Sequence, residues 1–237
     1  MLTLQKLSLA LAGTAIIFMG ANPAGAVSLT KGGSTPVAGE GQYTNIQGAT
    51  TINFNDGVAP SSGFVTYSAT NGIVKGSVDG QYATPFGDTS NYLTISPKGD
   101  KVNGQDVAGN TGDVTIKFAQ ALDYYGFYWG SIDTYNFVDV YSGGNLVKTF
   151  TGADVPGAPA NGTQSGSENN VYVNLLADTT KGETFDKVVL RSTGRAFESD
   201  NHSYRLASVP ESSTKLGLLA FGAMSVGSFV KRKSKAV

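Results

Sequence analysis

Between residues 27 and 208, apolar positions recur with a period of two in short runs, and turn-forming residues separate the runs. Residues 51–54 (TINF) set Ile52 and Phe54 on one face. Residues 114–118 (VTIKF) turn Val114, Ile116 and Phe118 one way and Thr115 and Lys117 the other, and residues 171–175 (VYVNL) repeat the alternation. Successive side chains of a strand point to opposite faces, so each run predicts a half-buried strand. Residues 137–141 and 146–150 flank Ser142-Gly143-Gly144-Asn145. That spacing predicts a hairpin, with glycine supplying the positive φ of its turn. Further strands are predicted at 64–67, 73–75, 92–95, 124–129, 185–191 and 202–206. No amphipathic helical period interrupts them. The pattern predicts an all-β domain, a β-sandwich with jelly-roll-like winding. Residues 96–113 and 152–170 read as long loops, and residues 28–48 as a polar, glycine-rich stretch that packs poorly.

The two ends follow other patterns. Residues 1–26 carry Lys6, then an apolar run over 7–19, then Ala24-Gly25-Ala26. A basic start, an apolar centre and small residues at the two positions read by a signal peptidase predict a secretory signal helix, cleaved before Val27. At the other end, a motif at 209–214 leads into an apolar run at 216–230 and a basic cluster at 231–235. The run of 15 residues would measure about 22 Å as a helix, against a bilayer core of about 30 Å. With Lys215 and Lys231 reaching the interfaces it would span a thinned bilayer as a transmembrane helix. Lys231, Arg232, Lys233 and Lys235 would hold the tail in the cytoplasm, leaving residues 27–208 outside.

Charge narrows the partners. Six of the 17 basic residues and one of the 18 acidic ones lie in the two ends, so the middle carries 11 against 17, a net charge of −6. Nucleic-acid affinity comes mostly from cations neutralising phosphates, which excludes a nucleic-acid partner. The chain has no cysteine. Disulfides, thiol catalysis and Cys-ligated metals are excluded with it.

Candidate chemistry is sparse. His202 is the single histidine, without a nucleophile elbow, and reads as a surface residue at a strand start. In residues 124–129 (YYGFYW), Tyr125, Phe127 and Trp129 share the core face, while Tyr124 and Tyr128 flank Gly126 on the other. Tyrosine faces suit stacking on sugar rings, so Tyr124, Tyr128 and Trp129, with Asp133 and Tyr135 in the following loop, form a candidate glycan site. An alternative reading covers that second face with a long loop. Glu198 and Asp200 alternate onto one face and are candidates for a carboxylate pair in glycoside hydrolysis. The same two, with Asn55 and Asp56, would hold calcium if the first and last strands are neighbours. No other cofactor is expected.

Val209-Pro210-Glu211, the short span and the basic end together resemble the PEP-CTERM sorting signal, although Ser212 stands where that family has a second proline. Residues 123–136 and 196–201 are similar to exosortase-dependent surface proteins of cyanobacteria. The resemblance implies three parts: a signal peptide (1–26), a surface domain (27–208) and a sorting tail (209–237) read by an exosortase-like protease. It also implies a membrane anchor before processing, then a structural or adhesive, non-catalytic role at the cell surface or in extracellular polysaccharide.

Overall fold

The computed structural model describes residues 27–69 and 71–208. The signal segment with Ala24 and Ala26, the sorting motif Val209-Pro210-Glu211, the apolar span and the basic cluster Lys231 to Lys235 lie outside the described residues.

The described chain is nearly all β. Its strands are β1 (Ser28–Lys31), β2 (Ser34–Val37), β3 (Gly41–Thr44), β4 (Thr50–Ile52), β5 (Val65–Tyr67), β6 (Ile73–Lys75), β7 (Asn91–Ile95), β8 (Lys101–Val102), β9 (Gln105–Asp106), β10 (Asp113–Gly130), β11 (Asn136–Ser142), β12 (Asn145–Thr151), β13 (Val171–Leu176), β14 (Phe185–Ser192) and β15 (Phe197–Leu206). Eleven of them join one antiparallel sheet, while β2–β3 and β8–β9 are separate two-stranded ribbons.

The 18-residue strand β10 organises this sheet. Its first half pairs with β14 and β5, and its second half with β13 and β15. The change of partner falls at Ala119, Gln120 and Ala121, which are exposed and sit where the register with β14 shifts. Such an irregularity bends a strand, so one strand serves two sheet halves. Val114, Ile116 and Phe118 from the first half meet Tyr125, Phe127 and Trp129 from the second in one core. Val138 and Val140 of β11 and Val188 and Leu190 of β14 join the same cluster. The arrangement is consistent with a β-sandwich closed around that core.

The strand at Thr50–Ile52, β4, pairs with β15, with Ile52 opposite His202, whereas the first strand, β1, pairs with β13. The glycine hairpin is present too, with Gly143 and Gly144 at φ +55° and +86°. Residues 28–48 depart from expectation by packing as three strands. β1 extends the sheet beside β13, and the β2–β3 ribbon lies over the outer face of the second sheet half. Leu29 is the one apolar residue that β1 packs on the core, and β3 meets the sheet through the Thr44 hydroxyl against Tyr124, so apolar alternation does not mark these strands. Within 96–113 the short β8–β9 ribbon forms, and the 152–170 segment opens with a 3-10 turn at Gly152–Asp154.

Candidate functional site

The outer face under the β2–β3 ribbon is closed. Tyr124, Tyr128 and Trp129 are fully buried. Tyr124 donates to Asn174 Oδ1 at 3.0 Å and lies 2.8 Å from Thr44 Oγ1 of β3, while Tyr128 donates to the Phe86 carbonyl at 2.5 Å. A Cβ on Gly41 would stand 2.5 Å from the Tyr128 ring, and Gly41 has φ +70°, so only glycine lets the ribbon approach so closely. Trp129 faces the opposite way, stacked on Phe197 with centroids 4.7 Å apart. These three aromatics therefore offer no surface to a glycan. The strand alternates as expected, with Trp129 inward and Tyr124 and Tyr128 outward, and the β2–β3 ribbon covers the outward pair.

His202 is also buried, correcting its placement at the surface. Its Nδ1 lies 2.9 Å from the hydroxyls of Tyr67 and Tyr125, and Nε2 lies 3.0 Å from Ser199 Oγ. Burial holds its pKa down at about 3, so the ring is neutral, with one nitrogen donating and the other accepting among these three hydroxyls.

Three other expected residues do converge. Asp133 and Tyr135, in the turn after β10, and Glu198 of β15 line one open cleft of about 420 Å³. Glu198 lies opposite Gly130 and Thr94 in the sheet. Its side chain points out beneath loop 77–83, where Oε1 accepts from the Ala83 N–H at 3.0 Å. Its Oε2 is buried with no partner among the described residues. Burial pushes the carboxyl up to about 8, and the nearby Asp133 charge adds to the shift.

The turn holding Asp133 is braced by Asn136, which is buried and structural. Its Oδ1 accepts from the Asp133 N–H at 3.0 Å, and its Nδ2 donates to Ser192 Oγ and the Ala196 carbonyl. Tyr135 donates to the Arg195 carbonyl at 2.6 Å. The Arg195 guanidinium grips Asp100 through two nitrogens and also donates to the Gly80 and Lys101 carbonyls. It thereby ties loop 77–83 to the start of β15 and holds the Asp100 carboxyl below its usual range. Gly162, at φ +69°, sits so close to the Asp133 carboxylate that a Cβ there would collide with it. The cleft is thus lined by Asp133, the amides of Gln81 and Gln164 and the half-buried rings of Tyr82 and Tyr135, with the buried Glu198 carboxyl in its wall.

Gln81, Tyr82, Gln164 and Arg195 were not singled out from sequence, because they lie in turns without period. The turn residues Asp79-Gly80 and Asn161-Gly162 were the only available signal.

The proposed calcium oxygens do not assemble. Asp56 is exposed after β4, its Oδ1 accepting from the Val58 N–H at 3.1 Å. Asp200 is buried elsewhere, beside Ser90. Among the described residues, no three Asp, Glu or His side chains are grouped to hold a metal ion. Compared with protein-family profiles, curated proteins and solved structures, the chain finds no match.

Proposed function

We propose that this chain is an exported protein of the cell surface or extracellular matrix, whose β domain holds a polysaccharide in the Asp133–Glu198 cleft without cleaving it. The observation that carries this reading is the convergence of three separate segments on one open, polar cleft with two tyrosines. Carboxylates and amides match the hydroxyls of a sugar, and half-buried tyrosine rings supply flat apolar contact. A β-sandwich with jelly-roll-like winding suits such a module. The nested pairing of β10 with β15 and of β11 with β14 supports that topology.

In a glycan array and affinity electrophoresis with the exported protein, retention by at least one polysaccharide is expected. Asp133→Ala combined with Gln81→Ala should weaken it about tenfold or more, equivalent to about 1.4 kcal/mol. Lack of binding to any neutral or acidic polysaccharide would overturn the reading. One observation favours glycoside hydrolysis as a second reading. Glu198 has a free buried oxygen and a raised pKa near Asp133, as a general acid requires. Release of reducing sugar that disappears in Glu198→Gln would replace the non-catalytic assignment.

Export rests on the termini. The short apolar span, the basic end and the Val209-Pro210-Glu211 motif support membrane insertion followed by cleavage by an exosortase-like protease. Alanine at all three motif positions is expected to keep the protein in the membrane at a higher mass than the natural form in the native host. Equal mass and equal retention would remove the processing step.

A further inference from the structure

A second polar cluster lies on the outer sheet face, away from the cleft. In the register of β10 and β15, Tyr128 opposes Asp200 and Gly126 opposes Ser203. One residue of β10, Phe127, therefore faces two of β15, Asn201 and His202. The extra residue is Asn201, at φ +52°. A bulge of this kind re-aims a side chain. His202 turns inward to Tyr67 and Tyr125, while the Asn201 amide turns outward and donates from Nδ2 to the Glu40 carbonyl at 2.6 Å.

Glu40 is bridged to Asp88, which brings the Asn201 amide beside the Asp88 segment. Asp88 is itself buried, with Oδ1 accepting from the N–H and the hydroxyl of Ser90. The Ser90 hydroxyl also lies 3.3 Å from Asp200 Oδ2, yet it has one proton to give. The Ser90 hydroxyl thus stands between the Asp88 and Asp200 carboxyls, 2.5 Å from one and 3.3 Å from the other.

Three buried oxygens of this neighbourhood have no partner among the described residues: Asp88 Oδ2, Asp200 Oδ1 and Asn201 Oδ1. Buried polar atoms are almost always satisfied, and three together from separate side chains point to something that binds oxygen. Among the described residues no basic side chain pairs with these carboxyls. Every ion pair among the described residues engages other acids, and the ionisable neighbours of the two carboxyls are Glu40 and the tyrosines Tyr43, Tyr67, Tyr92 and Tyr128.

We propose that Asp88, Asp200 and Asn201 form a calcium site that fastens loop 86–90 and the start of β3 onto the outer face of the sheet. An all-oxygen, carboxylate-rich donor set with an amide oxygen is the chemistry of a hard divalent cation. The flexible coordination of calcium suits donors fixed by strands better than the strict octahedron of magnesium. The site is separate from the glycan cleft, so polysaccharide binding and calcium binding succeed or fail independently.

Calorimetric titration of calcium into the full chain, stripped with chelator, tests the site. One ion per chain is expected, with a rise in Tm of about 5–10 °C at a hundredfold excess over Kd. Asn201→Ala and Asp200→Asn should each lower affinity about tenfold or more. Terbium luminescence excited through the neighbouring tyrosines gives a readout on the unmutated chain, should a variant not fold. No heat, no terbium signal and the same Tm in millimolar calcium as in chelator would overturn the proposal. The two carboxyls would then be sharing a proton.

Discussion

Trp129→Ala is expected to cost about 3–5 kcal/mol of stability, the range for deleting a large buried aromatic. Trp129 is fully buried, stacked on Phe197 at 4.7 Å and tilted against Phe127 at 5.5 Å. Its surroundings are strands held in register by ladders on both sides, so the vacated space has little freedom to collapse. The indole nitrogen has no partner among the described residues, which makes the loss one of packing rather than of a hydrogen bond. Trp129→Phe should accordingly recover most of it. Urea unfolding reads the effect as a lower midpoint with an unchanged slope, and the thermal midpoint should fall by about 6–20 °C. A loss below about 1 kcal/mol would mean that Trp129 is not in the core.

The second large effect is electrostatic. His202 is held neutral, with a pKa of about 3, whereas the unfolded chain takes up that proton near 6.5. Its contribution is fully present above pH 6.5 and disappears as pH falls towards 3. The slope is about 1.4 kcal/mol per pH unit, approaching about 4–5 kcal/mol in all. Glu198 has the opposite sign. Its folded pKa of about 8 lies above the unfolded value near 4.3, so its stabilisation is complete below pH 4.3 and is lost as pH rises through 8. The two overlap, so the measurement is a difference. Stability of the natural chain minus that of His202→Gln, followed from pH 7 to 3.5, should decline steadily as the pH drops. A flat difference would show that the imidazole is solvated. At neutral pH His202→Gln should also be destabilised by about 1–3 kcal/mol, because the buried hydroxyls of Tyr67 and Tyr125 lose their shared partner at Nδ1.

The strands that alternate sharply were legible from sequence, and those that alternate weakly were not. Val114, Ile116 and Phe118 point where their spacing puts them, as do Tyr125, Phe127 and Trp129. The β2–β3 ribbon escaped because its inner residues meet tyrosine hydroxyls, so Thr44 serves where an apolar residue would have given the signal. That one omission carried over to the site, for the ribbon is what removes Tyr124 and Tyr128 from solvent. His202 was misplaced because a single inserted residue, Asn201, breaks the period of two just before it. The shared face of Glu198 and Asp200 was readable from spacing. Their burial was not, since the cover comes from residues 77–90, about 110 positions earlier.

β10 carries one more implication, for the order in which the molecule is made. Its neighbours run from Val65 in β5 to Leu206 in β15, and among the described residues β15 is the last strand to emerge from the ribosome. No early portion can close the core on its own, because β10 stays bare along one flank until residues 197–206 arrive. Pairings this distant make assembly slow. Under the export proposed above, that slowness would be an asset, since nothing compact would form ahead of a translocation channel and the sheet would be completed on the far side.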